Sequence, residues 1–294
     1  MARAGVTDPL APERLQPPTP GQLRRLMGAE RLRPRKSLSQ HFLTDPVALD
    51  AIVEAAELRP GDRVVEIGPG LGVLTRRLLA AGASVIAVEL DPRLASWLRR
   101  ELGEVENFEL IEADALSLHP RDFFAGEPFK VVANIPYSIT SPLLHAFLEG
   151  ERPPDLMVVL VQLEVAERVA AAPGSMSYLS AFAQNVASAE VVARVPADAF
   201  EPAPEVESAV LRLRRRPDPV VPIGELREPF YRVVQAGFRQ RRKQIHNGLV
   251  RELPASREAV AVALDRCGVD GERRPQTLSI EEWACLALAL GGAE

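Results

Sequence analysis

The chain has 294 residues, 47% of them hydrophobic and 26% charged, which is enough for one large domain or two modest ones with a sizeable core. That composition excludes a disordered, collagen-like or repetitive chain. The net charge of −5 is unevenly spread, with eight basic against three acidic groups in residues 1–36 and eleven against three in residues 212–251. An acidic body between basic segments fits contact with a polyanion at particular places.

Residues 1–20 are proline-rich and aperiodic and are expected to form a disordered arm. A short basic helix is predicted from Gln22 to Leu32. Asp45 followed by Pro46 reads as an N-cap with proline at the first helical position, and that helix runs toward Glu57. Strands are predicted at Arg63–Ile67, Ser84–Glu89, Phe108–Ala113, Lys130–Asn134 and Met157–Gln162. Helices at Val73–Ala81, Pro92–Leu102 and Pro142–Leu148 alternate with them, which argues for a parallel, doubly wound sheet. Helices around Glu164–Ala172 and Tyr178–Ala187 follow, then strands at Val191–Val195 and Val206–Leu213. Arg214 to Pro219 breaks the pattern. Beyond it only helical patterning remains, around Glu225–Phe238, Arg241–Glu252, Ser256–Cys267 and Ile280–Leu290.

The two cysteines, Cys267 and Cys285, lie 18 residues apart without a C-x-x-C pair, so a disulfide framework is excluded and both are expected to be small buried hydrophobes. His41, His119, His145 and His246 show no metal-ligand spacing, and no metal is implied. The N-terminus lacks an apolar signal core, and the longest uncharged apolar run, Trp283–Ala293, is too short for a bilayer. A cytoplasmic protein without membrane contact is expected.

The first chemical constellation is Glu66-Ile67-Gly68-Pro69-Gly70-Leu71-Gly72 after a strand. Such glycines let backbone approach a ligand at the carboxyl end of the sheet. The dinucleotide pattern G-x-G-x-x-G requires glycine where Val73 stands, and the acid Glu66 suits a cation better than a phosphate. S-adenosylmethionine, with a sulfonium and an amino group, is such a cation. Glu89, at the end of the second strand of this series, can accept from ribose hydroxyls, and Asp114, after the third, from the adenine amino group. The second constellation is Asn134-Ile135-Pro136-Tyr137 after the fourth strand. The Asn134 amide and the Ile135 carbonyl can accept the hydrogens of an exocyclic adenine amine and aim its lone pair. Pro136 stiffens the turn, and Tyr137 offers a flat face for the base. Stacking needs only the ring, so an incidental Tyr137 hydroxyl should be dispensable.

With these motifs in this order the chain resembles the ribosomal RNA adenine dimethyltransferases. The resemblance runs from about Lys36 to Leu290. It adds Ser39-Gln40-His41-Phe42-Leu43, Phe200-Glu201-Pro202-Ala203-Pro204 with Val206 and Ser208-Ala209-Val210, and Phe238-Arg239-Gln240-Arg241-Arg242-Lys243. It implies an α/β class I S-adenosylmethionine-dependent methyltransferase fold, with a Rossmann-like seven-stranded sheet and a small all-helical C-terminal domain. Domains are expected at 21–215 and 216–294. The implied cofactor contacts are His41, Leu43, Gly68, Glu89, Asp114 and Asn134, beside Glu66 and Gly70, and the target base would stack between Tyr137 and Phe200. The family often has asparagine where His41 stands, and again where Ser138 follows the tyrosine.

The last motif points to the small-subunit branch, which dimethylates two neighbouring adenosines near the 3′ end of 16S rRNA. The implied partner is small-subunit rRNA in a 30S assembly intermediate, and the chain is expected to be monomeric. The alternatives are the large-subunit, macrolide-resistance branch and a non-catalytic rRNA-binding assembly factor on the same fold. Arg239, Arg241, Arg242 and Lys243 read independently as a basic helix start, where cations are disfavoured unless phosphates meet them.

Overall fold

The structure, a computed structural model, describes residues 15–30, 32–35, 38–148, 150, 153–221 and 227–291. Short aliphatic, β-branched runs form its strands, and capped amphipathic segments form its helices. In chain order these are α1 (Pro20–Ala29), β1 (Phe42–Leu43), α2 (Pro46–Ala55), β2 (Arg63–Ile67), α3 (Val73–Ala80), β3 (Ser84–Glu89), α4 (Pro92–Leu102) and β4 (Phe108–Glu112). There follow β5 (Lys130–Asn134), α5 (Thr140–Leu148), β6 (Leu156–Gln162), α6 (Leu163–Val169), α7 (Tyr178–Val186), β7 (Ala187–Val195), β8 (Phe200–Glu201) and β9 (Ser208–Arg215). The last four are α8 (Arg227–Arg239), α9 (Ile245–Glu252), α10 (Arg257–Arg266) and α11 (Ile280–Leu290).

Seven strands form one sheet in the order β4-β3-β2-β5-β6-β9-β7, and β2, β3, β4, β5 and β6 pair in parallel. The order reverses between β2 and β5, so the carboxyl ends of β4, β3, β2 and β5 lie side by side at the switch point, where open α/β sheets take ligands. In β6 every residue from Leu156 to Val161 is buried, as expected of a strand covered on both faces. Asp45 and Asp91 cap α2 and α4, each followed by a proline.

The chain divides into two compact units, one running to Leu163 and including Val192–Arg212, the other comprising Glu164–Val191 and the residues from Leu213. Each has its own core, the first around Leu78, Leu98 and Val158, the second around Phe230, Val234 and Trp283. By compactness α6 and α7 therefore group with the C-terminal helices, upstream of the boundary expected near 215.

Three expectations need correction. The disordered arm lies outside the described residues only as far as residue 14. Leu15 packs against the first core, and α1 starts at Pro20 with a Thr19–Gln22 capping box and a buried Leu23. The helix expected over Arg241–Glu252 starts only at Ile245, so Arg241, Arg242 and Lys243 stand in the turn after α8, where Lys243 N donates to Gln240 O (2.7 Å). The cysteines are not separate thiols, because Cys267 and Cys285 form a disulfide. Cys267 caps α10 and Cys285 lies within α11, and packing of the two helices brings their Cα atoms to 5.7 Å, a separation a disulfide spans. Spacing along the chain carries no trace of that approach.

Candidate active site

Glu66 near the end of β2, Glu89 at the end of β3, Asp114 just past β4 and Asn134 at the end of β5 all line one cavity of about 250 Å³ in the first unit. The loop residues Gly68–Leu71 line it. Gly70 has φ +59°, and a Cβ there would meet the Phe42 ring at 3.1 Å. At Gly72, φ +76°, it would come within 2.8 Å of Arg76 Nη1. Both positions need a left-handed backbone and the absence of a side chain, which only glycine supplies cheaply.

The acids differ in environment. Glu89 accepts from Gly70 N (3.1 Å) and Asp91 N (2.8 Å). Burial raises its carboxyl above the ordinary value, against the pull of those two bonds. Glu66 is 1% exposed, and its Oε2 has no hydrogen-bond partner. Burial, helped by the nearby Glu89 charge and opposed by hydrogen bonding from Thr75, pushes its carboxyl up to about 8. Asp114 caps a 3₁₀ turn and accepts from Leu116 N (2.9 Å).

Residues 38–43 line the cavity as well. Asn134 Nδ2 donates to the His41 carbonyl (3.1 Å), which fixes the amide and leaves Oδ1 to accept from elsewhere. The His41 ring hydrogen-bonds the Pro202 carbonyl through Nδ1 (2.8 Å) and stacks on Tyr137 with centroids 5.8 Å apart. The segment is anchored by Gln40, whose Nε2 donates to Asp91 (3.3 Å) while its Oε1 accepts from Arg35 N (2.8 Å). Asp91 is fully buried and also paired with Arg93 (2.7 Å). Burial alone would raise the Asp91 carboxyl, but the hydrogen bonds from Arg93 and Gln40 outweigh it and hold it below its usual value. Gln40 stands in the Ser39–Leu43 motif, but nothing in the sequence ties it to Asp91. Asp91 before Pro92 carried the signal of a helix cap, but not that of a latch 51 residues away.

His41, Leu43, Glu66, Gly68, Gly70, Glu89, Asp114, Asn134, Ile135, Pro136 and Tyr137 thus share one cavity. Phe200 does not. It is 3% exposed in the first core, on β8, where it pairs with Leu43 of β1 and so stands behind the cavity wall. Arg239, Arg241, Arg242 and Lys243 belong to the second unit, and all four are exposed. Arg239 reaches Gln235 (3.2 Å) and Glu252 (3.6 Å). Among the described residues no cluster of three or more His, Cys, Asp or Glu could hold a metal, and no helix is long and apolar enough to cross a membrane.

The model of the family described as ribosomal RNA adenine dimethylase matches residues 31–290. Among curated proteins, ribosomal RNA small subunit methyltransferase A of Dehalococcoides mccartyi is 41% identical over 91% of this chain and 92% of its own length. The protein of that name from Pelotomaculum thermopropionicum is 43% identical, over 92% and 95%. Among solved structures, the 23S rRNA methyltransferase ErmE superposes with a TM-score of 0.70 at 36% identity, covering 85% of this chain and 99% of its own. A dimethyladenosine transferase from Plasmodium falciparum gives 0.71 at 26% identity, over 84% and 96%. A match over most of the chain, with motif residues gathered in one cavity, makes this protein a member of the ribosomal RNA adenine dimethylase family.

Proposed function

We propose that this chain transfers methyl groups from S-adenosylmethionine to N6 of two adjacent adenosines near the 3′ end of small-subunit rRNA. It does so on a 30S assembly intermediate, in the cytoplasm and as a monomer. The observation that carries the reading is the single cavity in which the partnerless Glu66 Oε2 and the oriented Asn134 amide both stand.

The donor set fits a cationic cofactor. A buried carboxylate oxygen without a partner is costly unless a donor or a positive charge arrives, and an ammonium group is both. Glu89 and Asp114 would accept from its ribose and adenine. S-adenosylmethionine supplies the electrophilic methyl group. The chain's own part is to hold the amine through Asn134 Oδ1 and the Ile135 carbonyl, with the base on Tyr137. Calorimetry should show S-adenosylhomocysteine binding and NAD not binding, and the reverse result sinks the cofactor reading.

The named relatives at 41% and 43% identity favour the small-subunit target, while the ErmE likeness keeps a large-subunit target as the second reading. Labelled methyl transfer to small and large subunits lacking the mark separates the two. Label confined to large subunits would overturn the proposal.

RNA is held on this reading by the exposed turn Arg241–Lys243. Reversing Arg241, Arg242 and Lys243 to Glu should weaken subunit binding and lower its salt dependence, by about one counterion for each phosphate no longer neutralised. Cofactor affinity should not change. An unaltered salt slope would remove this turn from the RNA interface.

A further inference from the structure

The Tyr137 hydroxyl has a partner that the function reading does not use. Its oxygen lies 2.6 Å from Ser208 Oγ, and Ser208 is fully buried at the start of β9. Ser208 cannot easily shift. The neighbouring Glu207 carbonyl accepts from Leu163 N (3.0 Å), the residue that follows β6, so the chain just before β9 is tied to the segment leaving the adjacent strand. Around the ring the restraints come from three distant parts of the chain. The backbone turns into a short 3₁₀ segment, with Ile139 N bonded to Pro136 O (3.0 Å), the His41 ring covers one side, and Ser208 ties the para position.

A tyrosine ring on a turn has two side-chain torsions to lose, and a stacking platform works only at a fixed pitch. The turn fixes Cα and Cβ but not the ring. We propose that Ser208 is a positioning residue for methyl transfer: its hydroxyl sets the pitch of the Tyr137 ring, and with it the plane in which the target adenine lies against Asn134. The inference rests on the methyltransferase reading of the cavity. It also assigns the tyrosine hydroxyl a role that stacking alone does not require. Burial of the phenol and the bond to Ser208 oppose each other, and burial wins, raising the phenol above its ordinary value. The hydroxyl therefore keeps its proton at neutral pH and the pair keeps a donor.

The test is a double-mutant cycle on the full chain with undermethylated small subunits. Tyr137→Phe keeps the flat ring and removes the bond, and Ser208→Ala removes it from the other side. Each should lower kcat by about tenfold, inside the roughly 100-fold that a 1 Å misplacement can produce. KM for subunits should change less than kcat, S-adenosylhomocysteine affinity should stay at wild type, and Tyr137→Phe should melt within a few degrees of wild type, the buried Ser208 hydroxyl having lost its partner. The double variant should be no slower than the slower single, because one shared bond can be removed only once. Tyr137→Phe at the wild-type rate overturns the proposal, as do two rate defects that multiply in the double variant. Should Ser208→Ala fail to fold, Tyr137→Phe still decides on rate. A wild-type chain that leaves small and large subunits alike unmethylated overturns the function reading itself, and the role of Ser208 with it. Methylation by wild type together with full-rate Tyr137→Phe overturns only the role of Ser208.

Discussion

Glu66→Gln should make the cofactor-free protein more stable near neutral pH and bind cofactor more weakly. The Glu66 carboxyl is raised to about 8 by its complete burial, while in the unfolded chain it titrates near 4.5. Between those values the unfolded state has lost a proton that the folded state keeps. Stability therefore falls as pH rises from about 4.5 to about 8 and levels off above. At roughly 1.4 kcal/mol per unit the loss is on the order of 3 kcal/mol by pH 7. Glutamine has nearly the same shape and no proton to lose. Melting curves from pH 4 to pH 9 should show wild type and variant alike at the acid end and the variant more stable above pH 6. A variant that melts below wild type at pH 8 would mean that the carboxylate is already ionised and satisfied in the empty protein.

The same group couples binding to pH in the opposite direction. A cationic ligand favours the ionised carboxylate, so binding below about 8 expels a proton from Glu66, and affinity should rise with pH by up to about tenfold per unit. The ligand's own α-amino group titrates near 8, which masks the upper end. The difference between wild type and Glu66→Gln cancels that contribution. Calorimetry in two buffers of different ionisation enthalpy should find proton release for wild type that is smaller for the variant.

The sheet was legible because its strands are short, aliphatic runs. Arg63–Ile67, Ser84–Glu89 and Lys130–Asn134 were delimited to the residue, and the polar residues at or next to their ends, Glu66, Glu89 and Asn134, were candidates because a parallel sheet exposes those ends together. What the sequence hid was structure made between distant segments. β1 and β8 have two residues each, too few for any periodicity, and exist only because Phe42–Leu43 meets Phe200–Glu201. The Gln40–Asp91 latch and the Tyr137–Ser208 bond join residues 51 and 71 positions apart. The basic run after α8 has good helix propensity in isolation, yet the chain turns there so that Ile245 can enter the second core, where it is fully buried. Cys267 and Cys285 sat on two correctly placed helices, but helix placement alone does not set the distance between them.

Phe200→Ala and Tyr137→Ala should separate two aromatics that the sequence pairs in one clamp. Phe200 is buried in the first core and backs Leu43 across the β1–β8 pair, whereas Tyr137 is half-buried and lines the cavity. Truncating a buried phenylalanine removes its transfer energy and leaves a cavity, for a loss of roughly 3–5 kcal/mol. In a unit of this size that lowers the melting temperature by roughly 10 °C. The folded fraction of Phe200→Ala, assayed well below its transition, should still bind S-adenosylhomocysteine. Its transfer rate should drop only as far as the loosened Leu43 wall allows. Tyr137→Ala creates no core cavity; it leaves the Ser208 hydroxyl unpartnered, a loss of about 1 kcal/mol. It should melt within a few degrees of wild type and bind cofactor normally, yet lose about 1–3 kcal/mol of base stacking and most of its methyl transfer. Melts, cofactor titrations and rates on undermethylated small subunits, measured on both variants, distinguish the roles. A Phe200→Ala protein that melts like wild type but cannot transfer methyl groups would put Phe200 at the base after all. The side chain would then have to leave the core to reach the base when substrate binds.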